Sequence, residues 1–306
     1  MALIPGGAVY LPREQHPHPG PHRYGLFTVA PPQQIMATER DPNLADHALG
    51  SGLFYDPIAC GEPHLYEISC TPPAPEKDFD DNSPEVRADP FVVYGSLQCA
   101  PGGYSTAYLV DKTNNRLFAT EQHAAEFAFW TGGAVNAQPR IDDPAGAVDV
   151  GAAGTFPNLT AAVAALENFA YNTAFYGFHA VLHANSAVAA YAADAHLAHS
   201  AHMFGHVWGV PQEDRALRTT LGTKWIFGGG YPGTGPDGLA PGPGETYIWI
   251  TGHVAVWRDA SWRPPDPNQV MNRATNQHQL IAERRYIASY ECFHAYALVA
   301  IPEVAA

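Results

Sequence analysis

The sequence predicts a mixed α+β fold, on three observations. Two separate stretches carry helical periodicity, several β-branched and aromatic runs have the length of strands, and turn residues are dense between them. At 306 residues and 46% hydrophobic content the chain can bury a sizeable core. It holds 28 glycines and 28 prolines, about 9% each against roughly 7% and 5% on average, which predicts many turns and extended connections. The formal net charge is −14. With only Lys77, Lys112 and Lys224 as lysines, a sequence-general grip on a phosphate backbone is excluded, because that affinity comes from clustered Lys and Arg releasing counterions.

The first fifty residues are rich in Pro, Gly and His (HPHPGPH at His16–His22) and follow neither a helical nor a strand period. They read as an extended arm whose apolar residues, Tyr24, Leu26, Phe27 and Val29, are available to bury against a neighbouring chain. Between Leu53 and Cys99, the strand-like runs Leu65–Cys70 and Phe91–Cys99 flank a polar stretch, PPAPEKDFDDNSPEVRADP. That arrangement predicts a long hairpin with Lys77, Asp78, Asp80, Asp81 and Glu85 at an exposed, acidic tip. From Ser105 to Trp130 the pattern turns helical, with Leu109, Leu117, Ala124, Phe127 and Trp130 spaced for one face and Gly132 and Gly133 as the stop. Gly133–Gly154, rich in Ala, Gly, Asp and Pro, reads as a linker.

Beyond it, Leu159, Val163, Leu166 and Ala170 form a helical face behind Asn158. Phe178–Ala184 reads as a strand, Asn185 or Ser186 as the cap of an Ala-rich helix from Ala187, and Thr219–Phe227 as another strand. A Gly/Pro loop, Gly228–Gly244, leads to two long strand-like segments, Thr246–Arg258 and Asn276–Ile301. The four cysteines, Cys60, Cys70, Cys99 and Cys292, make no CxxC and read as buried free thiols of a protein made in a reducing cytoplasm. The opening MALIPGGAVYLP has no basic n-region and makes a poor signal peptide, and no apolar run approaches the ~20 residues of a membrane helix.

One cluster has metal-ligand chemistry. His196, His199, His202 and His206 would lie along one side of a continuous helix, with His179 and His183 on the preceding strand as further donors. The run contains no acidic residue and no HExxH glutamate, so structural or interface histidines are the leading reading, and a metal-dependent enzyme built on His196–His206 is a minor alternative. The Gly228–Gly244 loop lacks GK[ST] and a GxGxxG entering a helix, and reads as a flexible connection or subunit-contact loop. There is no GxSxG elbow, and the pairs Asp142–Asp143 and Glu121/Glu126 identify no acid/base couple. No residue is therefore assigned a catalytic, cofactor-binding or metal-binding role.

The closing phrases LGTKWIFGGGYPGTGPDG, GETYIWITGHVAVWRD and NQHQLIAERRYIASYECFHAYALVAIP, with FVVYGSLQC and a helix ending in AEFAFWTG, resemble the major capsid proteins of tailed phages, particularly phages of actinobacteria. That family has the Hong Kong 97-type capsid fold, shared with encapsulin shells. The resemblance implies an N-terminal arm (1–50), an extended β-hairpin loop (51–104), a spine helix and linker (105–154), an axial α/β domain (155–258) and peripheral return strands (259–306). It implies a non-enzymatic subunit, made in the bacterial host's cytoplasm, that assembles as hexamers and pentamers into a virion shell around double-stranded DNA. Scaffolding, portal or decoration proteins are implied partners, with no membrane and no cofactor; an encapsulin-like cargo shell is the alternative. The resemblance further implies that Arg284 and Arg285 lie near subunit contacts and that Met1–Gly50 laces across a neighbour. Deleting that arm is then expected to leave a folded body that cannot close shells. Lys77 is the one lysine placed for a Lys–Asn crosslink, and no charged helical segment precedes the arm to serve as a fused scaffold.

Overall fold

A computed structural model describes residues 22–35, 44–55, 57, 60, 85–99, 105–152, 154–174, 176, 180–200, 216–259, 271–272 and 277–301. Its N-terminal part departs from the free arm that the sequence suggests. A short helix, α1 (Leu26–Val29), is followed by β1 (Gln33–Gln34) and a second helix, α2 (Leu44–Ser51). Leu26, Phe27 and Val29 are buried in this chain's own core, and β1 pairs in parallel with Trp257 and Arg258. Apolar side chains so close to a ready core bury there at roughly 1.5–3 kcal/mol each, with no neighbour needed.

Strands β2 (Leu53–Tyr55) and β3 (Val86–Ala88) pair antiparallel at the two ends of the stretch where the sequence places the hairpin loop. Leu65–Cys70 and residues 77–81 of the acidic tip lie outside the described residues. The other predicted arm is β4 (Pro90–Cys99), and its partner is the penultimate strand of the chain.

The long helix α3 (Thr106–Thr131) matches its prediction closely. The Ser105 hydroxyl accepts from the Tyr108 N–H at 3.2 Å, and Gly132, at φ 76°, closes the C-terminal end in the left-handed region that glycine tolerates. Leu109, Leu117, Ala125, Phe129 and Trp130 form its buried face. Phe127 is exposed, because the 3.6-residue period that buries 125 and 129 turns 127 outward. Gly133–Gly154 is no free linker: Ile141 and Asp142 are buried, and β5 (Val148–Asp149) joins a sheet.

The rest of the chain runs β6 (Thr155–Phe156), α4 (Leu159–Asn168), β7 (Val181–Asn185), α5 (Val188–Asp194), β8 (His199–Ser200), β9 (Leu217–Arg218), β10 (Lys224–Gly228), β11 (Glu245–Thr251), β12 (Val254–Arg258), β13 (Met271–Asn272), β14 (Gln277–Tyr290) and β15 (His294–Ala300). The Asn158 side chain caps α4, whose predicted face, Leu159, Val163 and Leu166, is buried along with Ala170 beyond it. Of the predicted strand Thr219–Phe227 only the second half is strand, in β10; a turn ending at Gly222 occupies the first half and folds β10 back on β9.

Two sheets carry the molecule. The larger has the order β5–β15–β11–β7–β10–β9–β8, with β6 also beside β15. The smaller places β14 between β4 on one side and β12 and β13 on the other, with β1 beyond β12. The two long C-terminal segments that read as single strands are each broken once, and the breaks coincide. β11 lies in the large sheet and β12 in the small one; β14 lies in the small sheet and β15 in the large one. At this crossover the Gly252 N–H donates to the Phe293 carbonyl at 3.3 Å and the Glu291 N–H to the His253 carbonyl at 3.0 Å. A Cβ on Gly252 would collide with the Glu291 carbonyl, so glycine is required where the two chains pass.

Two cores follow from the two sheets. Phe91, Val93, Leu117, Phe129, Trp130 and Tyr286 fill the space between α3 and the small sheet. Leu159, Val163, Leu166, Leu182, Phe227 and Ile248 fill the space beneath α4 against the large one.

Candidate functional site

Strands β4 and β14 form a ten-residue antiparallel ladder whose two faces have different surroundings. Phe91, Val93, Gly95 and Leu97 point inward under α3, opposite Tyr286, Arg284, Ala282 and Leu280. Gly95 lets the helix come close, because a Cβ there would stand 2.8 Å from the Leu117 nitrogen and 3.0 Å from its Cα. On the outer face Ser96, Gln98, Gln279, Glu283 and Arg285 have the polar character expected of a sheet's wet face, and three apolar residues stand among them. Val92 is 52% exposed, Tyr94 63% and Ile281 54%. With Ile281 opposite Ser96 and Glu283 opposite Tyr94, the aromatic and aliphatic side chains sit as diagonal neighbours within reach of each other. Val92, Tyr94 and Ile281 thus form a short exposed apolar stripe within this face.

The sequence held a signal for this stripe. In FVVYGSLQC both parities carry apolar residues near the start, Phe91 and Val93 on one face, Val92 and Tyr94 on the other, and a strand apolar on both faces is one covered on both.

Behind the inner face, polar groups lock the elements together. The Glu126 carboxylate accepts from the Leu26 N–H at 2.9 Å, the Gln122 amide at 2.8 Å and the Gly230 N–H at 2.9 Å. One buried side chain of α3 thereby ties α1 to the Gly/Pro loop. That loop is part of the core: Tyr231 is buried, Trp130 donates to the Thr234 hydroxyl at 3.1 Å and Trp249 to the Thr234 carbonyl at 3.1 Å. The expectation of a flexible connection fails because these indoles and Glu126 give its backbone fixed partners. Burial raises the Tyr231 phenol well above its ordinary range, with the Glu126 charge acting the same way. Glu121 accepts from Arg284 at 3.0 Å and from the Tyr286 hydroxyl at 2.8 Å, and Arg285 pairs with Asp259 at 2.9 Å. Both arginines implied at subunit contacts thus have acidic partners within their own chain. Asp142, buried beside Arg140, is pushed up to about 6 by burial, against the pull of that guanidinium.

The histidine run is not one helix. α5 ends at Asp194, His196 takes φ 54° beyond it, and His199 sits on the short strand β8 paired with Arg218. Two observations signal the break: His196 adopts a left-handed conformation that helices do not propagate, and β9 offers His199 a strand partner. His179, His202 and His206 lie outside the described residues. His183 belongs to neither a polar face nor a ligand set. It is wholly buried, 3.2 Å from the Tyr231 hydroxyl and 2.9 Å from the Thr251 hydroxyl, and burial pushes its pKa down to about 3. Among the described residues, no group of three or more His, Cys, Asp or Glu could hold a metal, and no helix is long and apolar enough to cross a membrane.

Two of the four cysteines are not free thiols. Cys60 and Cys292 form a disulfide with Cα atoms 5.3 Å apart, joining positions 232 residues apart that the sequence gives no reason to associate.

No protein-family model matches the sequence, and no curated protein matches it. Solved structures do. A chain from Gordonia phage Cozz aligns over 97% of this chain and 93% of its own, with a TM-score of 0.50 at 11% identity. The capsid of an empty GTA particle computed with C5 symmetry aligns over 99% and 98%, with a TM-score of 0.48 at 15% identity. Mycobacterium phage Ogopogo aligns over 95% and 97%, with a TM-score of 0.47 at 13% identity. The fold is α+β of the Hong Kong 97 capsid type, with likeness to the Gordonia phage chain over nearly the full length of both.

Proposed function

We propose that this chain is a structural subunit that self-assembles into the icosahedral capsid of a tailed bacteriophage, enclosing its double-stranded DNA genome, and works as a scaffold of contacts with no catalytic step. The observation that carries the reading is the outer face of the β4–β14 ladder, where Val92, Tyr94 and Ile281 stand more than half exposed. Such a face is costly for a lone monomer and favourable once covered by another copy. In the Hong Kong 97-type fold the covering surface is supplied by repetition, so each subunit offers the same stripe.

The regional roles follow. Residues 1–50 are the arm, 51–104 the extended loop, 105–154 the spine helix region, 155–258 the axial domain and 259–306 the peripheral return. Within that arm, Leu26–Val29 serve the subunit's own core. The net charge of −14 suits a wall that must not trap the polymer it surrounds. Hexamers and pentamers of one chain, in a virion, are the assembled state.

Sedimentation velocity with negative-stain electron microscopy of the full chain tests this. Closed particles tens of nanometres across, or rings of five or six, are the expected result. A monomer or dimer that persists across concentration overturns it, and shells filled with a cargo enzyme in place of DNA would move the reading to an encapsulin-like compartment.

A further inference from the structure

We infer that Cys60 and Cys292 form a redox latch that fastens the root of the extended hairpin to the crossover between the two sheets. One end of the latch is Cys292. Its φ of 67° puts a residue with a side chain in the left-handed region where glycine is the usual occupant. A conformation that costs free energy at an exposed turn implies a side chain doing something there, and its sulfur is bonded to Cys60. Three residues separate the ends of β14 and β15, and Cys292 is the middle one, so whatever is joined to it is joined to both sheets at once.

Cys60 supplies the other end. It lies five residues beyond β2, on the chain leaving the hairpin root toward residues 61–84. Weaker fastenings already hold that root to the same place. The Tyr55 hydroxyl lies 2.6 Å from the Ser289 hydroxyl and donates to the Tyr290 carbonyl at 2.8 Å; Ala48, Leu49, Ala88 and Ile287 form a small core beside it. On the far side of the crossover, Tyr176 donates to the Glu291 carboxylate at 3.0 Å and accepts from the His253 N–H at 2.8 Å. The disulfide is the covalent member of this set, and the only one that a change of redox surroundings can open.

The chemistry is thiol–disulfide exchange with a small-molecule disulfide. The thiolate of exposed Cys292 attacks one sulfur of that disulfide, expels one small thiolate and leaves a mixed disulfide on the protein. The Cys60 thiolate then attacks the protein-bound sulfur, forms the Cys60–Cys292 bond and releases the second small thiolate. Two electrons pass from the cysteine pair to the small-molecule disulfide, and the two thiol protons go to solvent. In a reducing cytoplasm the latch is open; in oxidising surroundings it closes and ties Cys60 to the crossover at Cys292.

The test uses the full chain, prepared under reductant and divided. One half is treated with oxidised glutathione, and both are alkylated with iodoacetamide, digested without reduction and mapped by mass spectrometry. The oxidised half should yield one joined peptide containing Cys60 and Cys292 and should melt about 5–10 °C higher than the reduced half. Cys60→Ser and Cys292→Ser should each abolish that difference, and Cys292→Gly should abolish it while relieving the positive φ. Alkylation of both cysteines after oxidation, a bond from either to Cys70 or Cys99, or equal melting temperatures would overturn the inference. The wild-type comparison needs no variant, so a substitution that fails to fold leaves the test standing. Both readouts are made on dissociated subunits, so the result is independent of whether shells form.

Discussion

The two faces of the β4–β14 ladder both hold large apolar side chains, and these have opposite fates. Inward, Phe91, Val93 and Leu97 are covered by α3, while Phe27 and Phe91 both stack on Tyr286, at 5.5 and 6.0 Å between ring centroids. Outward, Val92, Tyr94 and Ile281 meet solvent. Burial and exposure here follow from what the same chain has left to place over each face, so stability is carried by the inner face, and the proposed association would be carried by the outer. Substitutions on the two faces should therefore separate folding from assembly.

The largest effect is expected from truncation. Deleting residues 1–50, expected from the sequence to leave a folded body, in fact removes Leu26, Phe27 and Val29 from the inner side and leaves Glu126 short of one donor. At roughly 1.5–3 kcal/mol for each side chain, against a typical total stability of about 5–15 kcal/mol, the truncated chain should lose its cooperative thermal transition. A cooperative melt within a few degrees of the full chain would show that the inner face does not need α1. Trp130→Ala comes next. It empties a wholly buried indole site and orphans the Thr234 hydroxyl, and should cost about 3–5 kcal/mol in urea unfolding.

Acid should weaken the same core by a smaller amount. His183 stays neutral in the folded chain down to about pH 3, while in the unfolded chain it titrates near its ordinary 6.5. Above 6.5 neither state binds the proton. As pH falls below 6.5 the unfolded state takes up a proton that the folded state refuses, so stability is lost at about 1.4 kcal/mol per pH unit until about pH 3. Between pH 7 and 4.5 this contributes a loss of about 2–3 kcal/mol, and His183→Gln should flatten that part of the pH–stability profile. A slope unchanged by the substitution would place the acid sensitivity elsewhere.

The smallest stability effect belongs to the outer face. Tyr94→Asp and Ile281→Asp should each cost no more than about 1 kcal/mol, because neither side chain leaves a packed site and only strand propensity and, at 94, the carboxylate of Glu283 opposite oppose the change.

Much of the inner architecture was legible in local pattern. The span of α3, its Ser105 cap and its Gly132 stop follow from sequence, as do the buried face of α4 and the strand Phe91–Cys99. What was not legible depends on distant partners. Nothing local reveals that β12 and β14 belong to one sheet while β11 and β15 belong to another, since unbroken apolar runs conceal a switch made at Gly252 and Cys292. The Gly228–Gly244 loop looks flexible by composition and is ordered by Glu126, Trp130 and Trp249. The histidine spacing presumed a helix that stops at Asp194. The Cys60–Cys292 bond, across 232 residues, is a tertiary fact with no sequence signature.

The most direct test of the central claim, that the outer sheet face is where one subunit meets another, is sedimentation velocity of the Tyr94→Asp/Ile281→Asp double variant beside the wild-type chain, with thermal melts of both. Melting temperatures within a few degrees of each other, large particles from the wild type and only free subunits from the variant are expected. Normal particles from a variant that is folded and carries both aspartates would contradict it.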